Sequence, residues 1–114
     1  MEKIRKNNDF RTVYRRGSSI ADHYLVMYVL ENGTGRNRIG ISVSRKVGNS
    51  VVRHHLTRLI RESYRLHEDS LQPGHDIVVV ARVRCKDAGY HDVERSLLEL
   101  AGRHGILKGE TESN

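Results

Sequence analysis

Tryptophan is absent from this chain of 114 residues, and phenylalanine, proline and cysteine occur once each, as Phe10, Pro73 and Cys85. One cysteine excludes an internal disulfide and fits a reducing compartment. One proline leaves a single firm break of that kind, at Gln72-Pro73-Gly74. No apolar run approaches the roughly 20 residues that span a bilayer. No apolar segment follows the basic start Met1–Lys6, so no secretion signal is expected and the chain is placed in the cytoplasm. Acids are scarce where bases are dense. Residues 36–65 hold eight Lys or Arg and one acid, Glu62, for a net +7, more than the +6 of the whole chain. That excess calls for a polyanionic partner, nucleic acid before any membrane. The length suits one domain, residues 1–114, and at 37% hydrophobic its core is modest.

What is present sorts into recognisable elements. Residues 1–6 read as a flexible basic arm. Asn7, Asn8 or Asp9 caps a short helix in which Phe10, Val13 and Tyr14 share a face, and Gly17 ends it. Ser18–Glu31 reads as β, with Asp22-His23 dividing it into a short and a long strand. Asn32-Gly33-Thr34-Gly35 is a turn, after which Arg38–Ser44 is expected to pair back as a hairpin partner. A basic turn, Arg45–Asn49, leads into a helix running to about Glu68. At about 100° per residue its Val52, Leu56, Leu59, Ile60, Ser63 and Leu66 fall in one sector. Arg53, His54, Thr57, Arg58, Arg61 and Arg65 fall in the other. Solvated helix faces mix charges at i, i+4 spacing, whereas Arg53, Arg61 and Arg65 lack an acid on their own face. A cationic rail of that kind is suited to phosphates. Asp76–Val83 is a buried strand, expected to complete a β-α-β unit with Arg38–Ser44 by parallel pairing, Arg84–Gly89 a loop, and Tyr90–Arg103 a second amphipathic helix. Residues 105–114 are expected to form a disordered tail.

No self-contained active site emerges. His54 and His55 are adjacent, so on a helix they diverge rather than share a metal. Cys85 has no partner at zinc spacing. Ser42 and Ser44 lack a nucleophile elbow, and Val47-Gly48-Asn49 before a helix lacks the Walker pattern. Asp76 and Glu94 have no obvious acid–base partner, and His67 reads as a partly buried, hydrogen-bonded side chain. Tyr14 stands among Arg11, Arg15 and Arg16, an interleaving that base stacking uses. Any reaction is expected to draw its chemistry from a partner.

The run Lys46–Glu62, KVGNSVVRHHLTRLIRE, resembles the long basic motif of the protein subunit of bacterial ribonuclease P. Phe10-x-x-Val13-Tyr14-x-x-Gly17, Tyr28 and Arg38-x-Gly40-x-Ser42-Val43-Ser44 match the same family. The resemblance covers about residues 7–101. It implies an α+β fold, a compact sandwich of about four strands and three helices in the order α-β-β-β-α-β-α, with a left-handed β-α-β crossover against the usual rule. It implies an endoribonuclease in which a catalytic RNA removes the 5′ leader of precursor tRNA. Mg²⁺ is held there by the RNA partner and substrate, not by the protein. The partners are then the catalytic RNA and precursor tRNA, with no membrane and no obligate protein partner. By position, Arg45, Lys46, Arg53, His54, His55, Arg58, Arg61 and Arg65 would contact RNA, and no residue of the chain would be catalytic. Phe10, Arg11, Tyr14 and Tyr28 would line the cleft for the leader.

A non-enzymatic ribosomal or rRNA-binding protein explains the charge and size equally well but not these combined motifs. A DNA-binding regulator lacks the short helix that should precede its recognition helix. The family usually has Arg-Asn-Arg where Arg53-His54-His55 stands, and Lys at Thr57. Histidine is the side chain that gains charge on mild acidification. RNA affinity should therefore rise more from pH 8 to pH 6 than in a His54→Asn/His55→Arg variant. Titrations of the two that run in parallel would contradict this.

Overall fold

The computed structural model describes residues 1–109. In chain order it has β1 (Glu2–Lys3), α1 (Asn7–Arg16), β2 (Ser18–Ala21), β3 (Leu25–Glu31), β4 (Arg38–Ser42), α2 (Ser50–His67), β5 (His75–Ala81) and α3 (Tyr90–Arg103). Short 3-10 turns follow α2 and β5, the second replacing much of the loop expected at Arg84–Gly89. The strands make one sheet in the order β1-β4-β5-β3-β2.

The centre belongs to β5, and its composition explains why. Ile77, Val78 and Val79 are fully buried, as a β-branched run flanked on both sides and covered on both faces must be. β5 runs antiparallel to β3, from Leu25 opposite Ala81 to Glu31 opposite His75. It runs parallel to β4, from Arg38 opposite Asp76 to Ser42 opposite Val80. The expected hairpin between β3 and β4 therefore does not form, because β5 lies between them. Residues 32–37 bridge that gap, and adjacent strands stand about 4.8 Å apart, so the connection crosses two spacings. It is fastened to the start of β5, where Asn32 N–H donates to the Gly74 carbonyl at 2.9 Å.

The alternation of the strands divides the core. Leu25, Met27, Ile39, Ile77 and Val79 face α2 and α3, meeting Leu56, Ile60, Tyr64, Val93, Leu97 and Leu100. Val78 faces the other way, against Val13 of α1 and Ile4, with Phe10, Tyr28, Leu30 and Val80 half-buried around them. Two helices cover one face fully, and the ten-residue α1 covers the other in part.

Both chain ends depart from expectation. Residues 1–6 are not a free arm. Glu2–Lys3 pairs in parallel with Arg38–Ile39 of β4, and Ile4 is buried because it fills the space beneath α1. Residues 105–109 are tied down as well. Ile106 is buried, and backbone bonds join Gln72 to Ile106 and Lys108 to Ser70. Residues 110–114, the rest of the expected tail, lie outside the described residues. α1 begins without a side-chain cap, since Lys6 occupies the cap position. Gly17 ends α1 through close approach and not through a left-handed turn. Its φ is −77°, and a Cβ there would sit 2.6 Å from the Val13 carbonyl oxygen.

One charged cluster ties these pieces together. The buried Asp76 carboxylate accepts Arg38 Nε at 2.9 Å and Nη2 at 2.5 Å, and Asn32 Nδ2 at 2.9 Å. Arg38 Nη1 also reaches Asp9 of α1 at 3.3 Å. Burial alone would raise the Asp76 carboxyl, but the Arg38 and Asn32 donors outweigh it and hold the group below the usual carboxylate range. A depressed folded pKa means stability that is present above the unfolded pKa and lost as pH falls through the folded one. Arg38→Met should cost roughly 2 kcal/mol at neutral pH, because it strands a buried carboxylate. The difference from the parent should shrink as acid protonates Asp76. Urea unfolding at several pH values checks both statements, and a constant difference down to strongly acid pH would contradict them.

Candidate nucleic-acid interface

α2 and the loop before it are aimed by a few anchors. Val47 is buried and its N–H donates to the Ser44 carbonyl at 3.1 Å, so Arg45 and Lys46 are pushed outward, where both are exposed. Asn49 then caps α2, its side chain accepting from Val52 N–H at 3.0 Å. The buried stripe of α2 is Leu56, Ile60, Ser63 and Tyr64. Leu66, expected inside, is 57% exposed. The stripe is thus rotated by about 50° from the expected sector, because Tyr64 and His67 turn inward instead.

That rotation re-sorts the basic residues. His54, His55, Arg58 and Arg65 are exposed, and Arg61 is half-buried. Arg53 does not stand on the open face. It is half-buried, with Nε enclosed and without a hydrogen-bond partner. Arg65 does have an acid beside it, since Nη2 pairs with Glu62 one turn back. Arg38, counted in the basic segment, is engaged with Asp76 and Asp9. Arg45, Lys46, Arg53, Arg58 and Arg61 make no ion pair among the described residues. The cationic surface that remains is narrower than the sequence count and borders α2 on one side.

Next to it lies a row of aromatic rings. Phe10 and Tyr14, one turn apart on α1, have ring centroids 6.4 Å apart. Tyr14 meets Tyr28 of β3 edge-to-face at 5.0 Å. Tyr14 is 38% exposed, while Phe10 and Tyr28 are half-buried. Phe10 lies on Gly40 of β4, where an added Cβ would come within 2.6 Å of its ring. The glycine in Arg38-x-Gly40-x-Ser42 therefore makes room for that ring. Two concave surfaces meet at Phe10 and Ile41. One is lined by Asn7, Arg11, Tyr14 and Ser42, and the other by Lys3, Ile4, Thr57 and Arg61. Arg61 thus joins the aromatic surface to the cationic one. Lys3, Asn7, Ile41 and Ser42 carried no signal of this in the sequence, since their place at the surface depends on β1 and β4 meeting α1.

Two further titratable groups, His67 and Cys85, have structural roles. His67 bonds Glu94 of α3 at 2.8 Å, as expected of a partly buried histidine, and Glu94 also takes the Tyr90 hydroxyl at 3.4 Å. The Cys85 thiol is buried, and burial pushes its pKa up to about 11, which leaves it unreactive at neutral pH. Among the described residues no three His, Cys, Asp or Glu side chains are grouped to hold a metal ion. No helix there is long and apolar enough to cross a membrane.

Comparison with known proteins agrees with this arrangement. The family model described as Ribonuclease P matches residues 1–105. The ribonuclease P protein component of Alkaliphilus metalliredigens is 50% identical over 105 residues, which cover 92% of this chain and 95% of that one. The corresponding protein of Lachnoclostridium phytofermentans is 50% identical over 106 residues, covering 93% and 91%. The Staphylococcus aureus RNase P protein structure superposes with a TM-score of 0.87 at 34% identity, covering 95% of this chain and 99% of that one. The Thermotoga maritima RNase P protein gives 0.83 at 32% identity, covering 90% and 97%. With sequence and backbone both matching over nearly the full length, the chain belongs to the ribonuclease P protein family.

Proposed function

We propose that this chain, acting as one domain, is the RNA-binding subunit of a ribonuclease P ribonucleoprotein. A catalytic RNA in that complex removes the 5′ leader of precursor tRNA by phosphodiester hydrolysis, and the protein holds RNA while the bond is broken. Family membership carries this reading. The unpaired cations beside an aromatic row support it, because RNA presents phosphates for the first and base faces for the second.

In this reading Arg45, Lys46, His54, His55, Arg58, Arg61 and Arg65 meet the catalytic RNA, and Arg53, half-buried with its Nε enclosed, reaches it only at the edge of that surface. Arg65 can exchange Glu62 for a phosphate at small cost, since a solvent-exposed ion pair contributes little net stability. Phe10, Tyr14, Tyr28 and Arg11 take the single-stranded leader. Stacking and backbone charge suit leaders of varied sequence, because every base has a face to stack. The Mg²⁺ that assists hydrolysis belongs to the RNA partner and the substrate. The protein contributes positive charge near the reacting phosphates and supplies no nucleophile.

Reconstitution tests the proposal. The protein alone should leave precursor tRNA intact, and with the catalytic RNA at low Mg²⁺ it should stimulate cleavage. Tyr14→Ala should weaken binding of a long-leader precursor about tenfold, the effect of losing one stacked base. It should leave a precursor with a minimal leader unchanged. Absence of stimulation, with tight binding to ribosomal RNA instead, would contradict the assignment.

A further inference from the structure

Glu62 is an anomaly on a surface that attracts phosphates. Arg65 holds its Oε1, while Oε2 has no protein partner among the described residues. Glu62 lines a groove between α2 and α3, about 320 Å³ in volume and open to solvent, together with His55, Arg58, Leu59, Arg61 and Tyr90. Tyr90 is half-buried and fixed at its far end, since its hydroxyl bonds Glu94, which His67 holds in turn. The groove therefore combines an anchored aromatic ring, an apolar wall at Leu59, two arginines and one carboxylate with an acceptor to offer.

A phosphate does not match that set, because Glu62 repels it. A base with two donors on one edge and two acceptors on another does. Guanine is the RNA base with that pattern: N1–H and N2–H₂ form a pair of donors that a carboxylate can accept, and O6 and N7 form the acceptor pair that an arginine fork reads. Adenine and cytosine each offer a carboxylate only an amino group, and uracil only an imino N–H.

We infer that the groove between α2 and α3 receives one unpaired guanine of a bound RNA strand, with its Watson–Crick edge on Glu62, O6 and N7 toward Arg58 or Arg61, and Tyr90 and Leu59 against its ring. This rests on the RNA-binding reading above and adds base selectivity to a surface otherwise indifferent to sequence. The flanking cations favour a base within a strand over a free nucleotide, because they bind the neighbouring phosphates.

The test uses the full chain and oligouridylates carrying one central guanosine, inosine or adenosine, with binding followed by fluorescence anisotropy. The guanosine oligomer should bind about tenfold tighter than the adenosine one, the scale of one bidentate contact. Inosine, which lacks the N2 amino group, should fall between. Glu62→Gln should erase the preference, whereas Arg65→Gln, which removes the ion pair but keeps the carboxylate, should retain it. Tyr90→Ala should weaken the guanosine oligomer most. Equal affinity for all three oligomers, with salt-sensitive binding retained, overturns the guanine site and leaves the RNA-binding reading standing. Failure to bind any RNA, the catalytic RNA included, overturns both. Free GMP binding as tightly as the oligomer overturns the assignment to an RNA strand.

Discussion

The buried carboxylate of Asp76 governs both the architecture and the charge of this protein. It lies near the start of the central strand and is met by Arg38 from the neighbouring strand and by Asn32 from the connection that passes over it. Arg38 continues to Asp9 and so links the sheet to α1. An unpaired charge at that depth would cost several kcal/mol, so these partners fix one another's positions. With β5 held between β3 and β4, α2 has to connect two adjacent parallel strands. The loop before it then emerges where β4 ends, and Arg45 and Lys46 stand exposed on it just ahead of the helix.

The same cluster separates cations that hold the fold from cations available to a partner. Arg38 is internal to the protein, and Arg36 pairs with Glu2 at 3.4 Å. Arg45, Lys46, Arg53, Arg58 and Arg61 have no such partner among the described residues. Like charges along a helix repel by a few tenths of a kcal/mol per pair. Binding a polyanion reverses that sign, so the surface is mildly unfavourable in the free protein and favourable in the complex. The aromatic row owes its exposure to a different shortage, the brevity of α1, which leaves part of its sheet face open around Tyr14.

Much of this was legible from periodicity and composition. The β-branched run of β5, the break at Asp22-His23 and the limits of α3 follow from local signals, and so do the existence and the approximate start of α2. Strand partners follow only in part. The strand-helix-strand order implies parallel pairing of β4 with β5, which the structure has. Alternation in β4 says which side chains share a face and nothing of the strand on its other side, so the placing of β5 between β3 and β4 had no local trace. Arg38 looked like a free cation because its acid is far along the chain. The face of α2 was misjudged because Tyr64 was not counted as core, and its complete burial turned Arg53 inward and Leu66 outward. β1 was hidden in a short basic stretch where only Ile4 had reason to be buried. Tyr90 was read only as the start of a helix; its place in a groove needs α2 and α3 packed together.

The central claim is that a defined set of unpaired arginines and lysines, not the bulk charge of the chain, holds RNA. The most direct measurement is the slope of log affinity against log salt for the protein and the catalytic RNA. Each phosphate contact contributes roughly −0.7 to −0.9 to that slope, so several contacts should make it steeper than about −3. The Arg58→Ala/Arg61→Ala variant should flatten it by about two contacts. A shallow slope, or one that this double substitution leaves unchanged, would contradict the account.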